Sequence, residues 1–273
     1  MYESFFKLTG RPFENFGDDS YYPSESHQTA MLKMRYAIEN RRSAIAVCGD
    51  SGIGKSMLIR LLAAQLPEAI APLVTVVFPK LPGDQLLGYV TDKITRQCGP
   101  PDEPDRLTLH RLESFLDENV AADRHALVVV DEAHLLDSHE QLETLRLLLN
   151  LATGGGHAES ALTLLLVGQS ILLTQIEQNA SLDERVSEKC LLRRFTPDQT
   201  ASYVQHRLQQ VGRQMPDVFT TAAVDRLHSR SLGIPRRINR LADLALMVAY
   251  ADDAARVTED HIEGVHRELA TTP

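Results

Sequence analysis

The 273-residue sequence lacks the features of an exported or membrane-anchored chain. It contains no apolar run near the roughly 18 residues that a membrane-spanning helix needs. Residues Met1 to Arg11 mix aromatic and charged side chains, so they do not form the apolar core of a signal peptide. We therefore expect a cytoplasmic chain, which would reach the inner face of a membrane only through partners or a further C-terminal region.

The sequence is also poor in cysteine. Its three cysteines, Cys48, Cys98 and Cys190, are far apart and belong to no CxxC motif or cysteine–histidine cluster. A structural zinc site needs clustered ligands, so zinc is not expected here. Cys48 and Cys190 lie in apolar stretches and are most simply buried, reduced thiols, which fits a reducing compartment.

An excess of positive charge is absent as well, because the formal net charge at pH 7 is −9. Proteins that bind nucleic acid constitutively usually carry a basic surface, so this balance counts against nucleic acid as the main ligand. The net charge does not exclude a local basic patch that forms when subunits assemble. The sequence has no internal repeats or low-complexity segments, and its length suffices for two modest domains.

Apolar runs of strand length alternate with helix-period segments in the first 195 residues. The strand-like runs cover residues 44–48, 74–78, 126–130 and 162–167, with a short fifth run around Cys190–Leu192. The helical segments cover residues 56–66, 84–97, 107–122 and 139–151, and loops are expected at 99–101 and 154–156, where glycine and proline cluster. Continuous apolar strands that alternate with helices predict a mostly parallel sheet covered on both faces.

After residue 195 only helical segments follow, at residues 197–211, 220–231, 235–251 and 258–270. Thr196 and Pro197 suit the N-cap and the first position of a helix. We therefore predict three parts: a segment over residues 1–43 packed on the core, an α/β core over 44–195, and a small all-helical domain over 196–273.

One segment carries a strong phosphate-binding pattern. Gly49-Asp50-Ser51-Gly52-Ile53-Gly54-Lys55-Ser56 matches G-x-x-x-x-G-K-[ST] and lies between a predicted strand and a predicted helix. The glycines let successive N–H groups point inward around an anion, and the helix adds its positive N-terminal end. Lys55 would contact the β- and γ-phosphates, Ser56 would bind Mg²⁺, and Met57 would follow on the nucleotide-binding turn. The alternative is a glycine-rich turn with a chance lysine.

Two carboxylates, Asp131 and Glu132, follow the apolar run at residues 126–130. Ligands of an open parallel sheet bind at the carboxyl ends of its strands, which favours Asp131 as an Mg²⁺ ligand and Glu132 as the group that activates water. The alternative is a solvated acidic turn. The letters DEAH also label a helicase class, but that class needs a second RecA-like domain, for which the chain has no room. We interpret His134 as a local polar contact.

A polar residue after the strand at 162–167 could contact the γ-phosphate. We favour Gln169 for this role and expect Ser170 to cap the next helix, the alternative being a loop hydrogen bond from the Gln169 amide.

Two arginines are candidates for added positive charge at the γ-phosphate. Arg185 precedes the last predicted strand, where it could approach the nucleotide of a neighbouring subunit; alternatively it forms a surface ion pair with Asp183 or Glu184. Arg236 follows Pro235 on the first turn of a helix and could fold back over the nucleotide, which we favour over Arg237.

Further blocks along the chain match one known family. They comprise Phe5, Phe6, Leu8, Pro12, Phe13, Tyr22, Pro23, Ser24, His27 and residues 36–39, and later residues 131–134, 167–169 and 233–239. With the glycine-rich loop, these blocks make the sequence resemble the ExeA/GspA group of AAA+ ATPases, which is similar to the transposition ATPases TniB and MuB. The resemblance covers nearly the whole chain.

The resemblance implies a P-loop AAA+ core followed by a helical lid, with ATP and Mg²⁺ bound and ATP hydrolysed to ADP and phosphate. It implies that Arg236 is the nucleotide sensor of the lid, that Gln169 is the polar residue of the sensing strand, and that Tyr22–His27 contacts adenine or ribose. Longer members continue into a membrane span and a peptidoglycan-binding module that this sequence does not contain. The chain is therefore expected to be a stand-alone relative or a part cut after the lid.

Three functions follow from the resemblance. The first is an ATPase that drives assembly or remodelling of an envelope machine of the secretion or pilus type, through a protein partner. The second is an ATP-dependent DNA-binding regulator of transposition, suggested by arginines at positions 35, 41, 42, 193 and 194, which are otherwise ordinary solvated residues. The third is a signalling switch with negligible turnover. In the first two, we expect a homo-oligomer such as a ring, in which a neighbour's arginine completes the site and hydrolysis changes the lid angle.

Overall fold

The computed structural model describes residues 1–14, 21–77, 80–100, 103–136, 138–154 and 160–271. Phe78 of the second predicted strand, Pro101 of one predicted loop and the glycines at 155 and 156 of the other lie outside these residues. The chain divides into two compact units. The first contains Met1–Glu25, Asp50–Gly54 and Arg193–Pro273, and the second contains Ser26–Gly49 and Lys55–Leu192.

The second unit is built on a parallel sheet. Its strands are β1 (Ala44–Cys48), β2 (Leu73–Val76), β3 (Ala126–Val130), β4 (Leu162–Gly168) and β5 (Val186–Leu191). Within the described residues these five strands lie in the order β2-β3-β4-β1-β5, and every neighbouring pair is parallel. The three central strands are buried along their whole length, as expected for a sheet covered on both faces. The predicted α/β fold class is confirmed.

The helices of the described chain mostly match the predicted segments. In chain order they are α1 (Tyr2–Phe5), α2 (Glu25–Glu39), α3 (Lys55–Gln65), α4 (Gly83–Thr95), α5 (Asp105–Ala121), α6 (His139–Gly154), α7 (Ile171–Gln178), α8 (Ala180–Asp183), α9 (Pro197–Gln209), α10 (Met215–Val218), α11 (Thr221–Ser231), α12 (Pro235–Ala251) and α13 (Glu259–Thr271). Of the helices in the described ranges, none combines the length and the apolar character needed to cross a membrane.

The strand register places several chain segments at one edge of the sheet. Cys48, the last residue of β1, pairs with Gly168 at the end of β4, and Val130, the last residue of β3, pairs with Leu166. The loop after β1, the residues after β3 and the residues after β4 therefore leave the sheet side by side. In parallel sheets this carboxyl edge is where ligands bind.

The first unit is helical, and the N-terminal segment is part of it. Tyr2, Phe6 and Phe13 are buried in one hydrophobic cluster with residues of α9, α11, α12 and α13. The prediction grouped residues 1–43 as a segment packed on the α/β core, whereas the structure places Met1–Glu25 with the helical unit and Ser26–Gly49 with the core. The difference arises because the apolar side chains of the N-terminal segment fill the helical cluster.

Local sequence signals explain where two helices of this unit begin. The Thr196 hydroxyl accepts a hydrogen bond from the Gln199 N–H at 3.2 Å, and the Gln199 side chain accepts one from the Thr196 N–H at 3.1 Å. This capping box, with Pro197 at the first position, fixes the start of α9. Thr220 caps α11 in a similar way, by accepting from the Ala223 N–H at 3.1 Å.

Candidate functional site

The glycine-rich loop connects β1 to α3 in the arrangement that its pattern predicts. The Gly49 N–H donates to the Gly168 carbonyl at 3.2 Å, which ties the start of the loop to the end of β4. The Ile53 N–H donates to the Asp50 carbonyl at 3.2 Å and closes a turn. Gly52 and Gly54 have φ angles of 81° and 112°, a region that side-chain-bearing residues rarely occupy. The loop therefore curls only because these positions are glycines.

Lys55 is the first residue of α3, and its side chain bends back towards the loop. The residue is buried, and its Nζ donates to the Gly49 carbonyl at 2.8 Å. A buried ammonium is costly unless it has anionic or strongly polar partners, so its position favours an anion in the loop. Ser56, on the same first turn, is exposed, and Met57 is partly exposed.

The strand that leads into the loop carries an inert thiol. Cys48 is buried, and burial raises its pKa to about 12. The thiol therefore stays protonated at neutral pH and is a poor nucleophile.

Asp131 and Glu132 follow β3 at the same edge of the sheet. The Asp131 N–H donates to the Val76 carbonyl at 2.9 Å, and the Asp131 Oδ1 accepts from the Glu132 N–H at 2.9 Å. Glu132 has a φ of 52°, which is uncommon for a residue other than glycine, and its side chain is 49% exposed. The turn thus holds the Glu132 carboxylate in solvent beside a fixed Asp131.

His134 lies against Glu132, as expected of a local polar contact. Its Nδ1 is 3.3 Å from the Glu132 Oε2, and its carbonyl accepts from the Gln175 Nε2 at 3.1 Å. The two atoms lie within ion-pair distance, but the His134 Nδ1 makes no hydrogen bond to the described part of the chain.

Gln169 follows β4 and is exposed at the carboxyl edge. Its carbonyl accepts from the Leu172 N–H at 2.9 Å, so the residue starts the turn into α7. Ser170 stands at the N-cap position of α7, but its side chain makes no capping hydrogen bond. The expected Ser170 cap was therefore wrong: Ser170 has helical backbone angles, with φ −57° and ψ −27°, rather than the extended angles of a typical N-cap.

Arg236 contacts the glycine-rich loop within the first unit. Its N–H donates to the Gly52 carbonyl at 3.2 Å, on the first turn of α12. A Cβ placed on Gly52 would lie 2.7 Å from the Arg236 Cβ, so the loop and the helix approach too closely for any side chain at Gly52. The Arg236 side chain is exposed next to the loop that it contacts.

Arg185 lies between α8 and β5, where its side chain bonds to the Asn150 amide oxygen of α6. Asp183, one of the two ion-pair partners considered for Arg185 beside Glu184, pairs with Lys189 at 2.6 Å. The guanidinium is partly buried rather than fully solvated.

Arg207 is a structural residue that the sequence patterns did not indicate. It is 2% exposed, and its guanidinium donates to the Pro12 and Glu14 carbonyls at 2.6 and 2.5 Å. These bonds anchor the N-terminal segment on α9.

Tyr22 lies in the stretch that the resemblance links to adenine or ribose. Its ring packs against the rings of Phe195 and Tyr203, with centroid distances of 5.5 and 5.7 Å.

Comparison with known proteins gives both a family and a relative. Residues 38–176 match the family described as AAA domain, which is more than half of the chain. The chain is also 32% identical over 266 residues to General secretion pathway protein A of Aeromonas hydrophila. That match covers 96% of this chain and 47% of the relative, so the chain spans about half the length of the curated relative it matches.

Solved structures with the same fold are more distant in sequence. They include the ORC2 protein of Aeropyrum pernix, with a TM-score of 0.66 and 18% identity over 96% of this chain and 72% of that one. The match to Drosophila ORC bound to DNA has a TM-score of 0.69 and 16% identity, and it covers 96% of this chain and 65% of that one. The match to Thermotoga maritima RuvB has a TM-score of 0.60 and 16% identity, and it covers 94% of this chain and 73% of that one. At these identities the likeness concerns the fold alone. By its sequence match and its fold, the chain belongs to the AAA domain family.

Proposed function

We propose that the chain binds Mg-ATP in the Gly49–Ser56 loop and hydrolyses it to ADP and phosphate. The observation that carries this proposal is the buried Lys55 ammonium, whose Nζ contacts the Gly49 carbonyl at 2.8 Å inside a loop of the phosphate-binding pattern. A lysine in this position would pair with the β- and γ-phosphates. Membership of the AAA domain family supports the same activity.

The donor set at the carboxyl edge suits the metal. Mg²⁺ prefers hard oxygen ligands and usually keeps few protein ligands besides phosphates and water. The Ser56 hydroxyl on α3 and the Asp131 carboxylate after β3 are such ligands, and both belong to the unit that contains the sheet. When bound, the metal would neutralise charge on the phosphate oxygens.

Glu132 would orient and activate the attacking water. Its carboxylate is exposed on a backbone turn at φ 52°, with the His134 Nδ1 3.3 Å away. Gln169 would contact the γ-phosphate from the neighbouring strand β4, and Arg236 would do so from the helix that contacts the loop at Gly52. Each of these groups acts by hydrogen bonding or charge, which is the main source of catalysis in phosphoryl transfer.

The cellular role that we propose is assembly or remodelling of an envelope machine of the secretion or pilus type. The similarity to General secretion pathway protein A over 96% of this chain supports this role. We propose that the chain works as an ATP-dependent homo-oligomer, in which Arg185 contributes to the site of a neighbouring subunit. The partner would be another protein of the machine, and the chain would act in the cytoplasm or at the inner face of the membrane.

The alternative role, DNA binding in transposition, receives less support from the surface charge. Among the arginines that suggested it, Arg35 pairs with Glu39, Arg41 with Asp123 and Arg194 with Asp50. Paired arginines add little net positive potential to a surface that must attract phosphates. DNA anisotropy with and without ATP, at physiological salt, tests this alternative.

Phosphate release from ATP tests the proposed activity. We expect turnover by the wild type and none by Lys55→Ala, while Glu132→Gln should bind ATP and accumulate the ATP-bound oligomer. Lys33→Ala, which removes an exposed lysine paired with Glu188, serves as the control for loss of a positive charge. Turnover by Glu132→Gln at the wild-type rate would contradict the role assigned to Glu132.

A further inference from the structure

An ion pair lies at the tip of the glycine-rich loop. The Arg194 Nε is 2.5 Å from the Asp50 Oδ2, and both residues belong to the first unit together with the rest of Asp50–Gly54. In the same unit the Arg236 N–H bonds to the Gly52 carbonyl. Two arginines from separate chain segments thus contact a loop of five residues, one through its side chain and one through its backbone.

Asp50 poses an electrostatic problem for a phosphate-binding loop. The loop attracts anions through its N–H groups and Lys55, whereas a carboxylate within it repels them. A carboxylate close to a triphosphate repels each of its three to four negative charges, which weakens binding by roughly tenfold even where the dielectric constant is high. A cation bonded directly to that carboxylate cancels most of this repulsion.

We propose that Arg194 is a positioning residue for nucleotide binding, which neutralises the Asp50 carboxylate and keeps the loop attractive to polyphosphates. This inference rests on the proposed function, because it concerns the same loop and the same ligand. It adds a residue outside the phosphate-binding pattern, located where the sheet-containing unit ends and the helical segment begins.

The exposure of the pair distinguishes this role from a structural one. The Arg194 and Asp50 side chains are 49% and 38% exposed. Ion pairs this exposed contribute little to folding stability. Removing the arginine should therefore leave the unfolding transition nearly unchanged while it changes the affinity for phosphates.

A double-mutant cycle on ATP affinity tests the inference. Equilibrium titrations would compare the wild type, Arg194→Ala, Asp50→Asn and the double variant, each with magnesium-free ATP and with AMP. We expect Arg194→Ala to bind ATP about tenfold more weakly, with a much smaller effect on AMP, which carries fewer charges. Asp50→Asn should bind ATP as tightly as the wild type or more tightly, and the double variant should return to within about twofold of the wild type.

Two further variants sharpen the result. Arg194→Lys keeps the charge and should retain most of the affinity, and Arg256→Ala removes an exposed arginine elsewhere in the same unit as a control. If Arg194→Ala matches Arg256→Ala, the inference is wrong. It is also wrong if Arg194→Ala and Asp50→Asn weaken binding equally and the double variant is no better, because that pattern describes a structural contact.

Lys55→Ala separates this inference from the proposed function. If Lys55→Ala abolishes ATP binding while the Arg194 variants bind normally, only the role of Arg194 fails. If Lys55→Ala binds ATP like the wild type, the loop is not the nucleotide site, and both proposals fail.

Discussion

Replacement of Gly52 by alanine should strain the loop in two ways. Gly52 has a φ of 81°, and the left-handed region costs a residue with a Cβ about 1–2 kcal/mol. The added Cβ would also lie 2.7 Å from the Arg236 Cβ and 3.3 Å from the Arg236 Cδ. Extra methyl groups forced into packed sites cost about 1–3 kcal/mol. The two terms together give roughly 2–5 kcal/mol.

This strain either lowers the free energy of unfolding or is relieved when the loop moves away from α12. We therefore expect Gly52→Ala to lower the free energy of unfolding, to weaken ATP binding by at least about tenfold, or to do both. Denaturant unfolding and ATP titration of the same preparation measure the two effects.

Gly264→Ala provides the matched control, because Gly264 lies inside α13 and, beyond the adjacent backbone of that helix, no atom of the described residues comes within 4 Å of its added Cβ. Alanine is favoured over glycine inside a helix, so this variant should gain up to about 1 kcal/mol of stability. If Gly52→Ala unfolds like the wild type and binds ATP with the same affinity, the close contact between the loop and Arg236 is not a feature of the protein in solution.

Three further predictions concern other parts of the molecule. Burial lowers the pKa of His125 to about 4. The stability contributed by the buried neutral imidazole should be complete above pH 6.5 and be lost as the pH falls towards 4, because the unfolded chain binds the proton first. In urea unfolding, the free energy of unfolding should be roughly 2 kcal/mol lower at pH 5 than at pH 7, and His125→Asn should lack this decrease. Arg207→Ala leaves two carbonyls unpaired and should cost about 3 kcal/mol, with faster proteolysis of residues 1–14. If Arg185 acts in a neighbouring subunit, Arg185→Ala should keep ATP binding and lose at least about tenfold in turnover. Asn150→Ala, which removes the bonding partner of Arg185, should lose less turnover. Equal losses of turnover in the two variants would assign Arg185 a structural role.

Much of the fold was predictable because its strongest signals are local. The strands at residues 44–48 and 126–130 are continuous apolar runs, and the structure gives them the same bounds. The start of α9 follows from Thr196 and Pro197, which cap a helix through contacts three residues away. The glycine-rich loop is likewise specified by consecutive residues, whose backbone angles only glycine adopts easily.

Other features depend on contacts between residues far apart in the chain. The Tyr2 hydroxyl donates to the Asp243 carboxylate at 2.5 Å, and Arg207 bonds to the Pro12 carbonyl, so the N-terminal segment joins the helical unit through residues about two hundred positions away. No periodic pattern encodes such a pairing. The helix α2 was also missed, because its buried face includes His27 and small alanines and therefore shows little apolar contrast.

The assignments in the candidate site also divide into those that depend on neighbouring residues and those that depend on contacts between distant ones. The pattern gave Lys55 and Ser56, and the apolar strand gave Asp131 and Glu132, because each assignment needs only neighbouring residues. The Asn150 partner of Arg185 could not be found in this way, because it depends on the packing of α6 against α8. The roles of the first four residues towards a nucleotide stay predictions until variants are measured, and so do those of Gln169, Arg185 and Arg236.

The most direct test of the central claim is an equilibrium titration of the protein with Mg-ATP, comparing the wild type, Lys55→Ala and the control Lys33→Ala. The wild type and Lys33→Ala should bind with equal affinity. Lys55→Ala should lose at least about a hundredfold, because we propose that the buried ammonium at the Gly49 carbonyl contacts the phosphates. Wild-type affinity in Lys55→Ala would show that this loop does not bind the nucleotide.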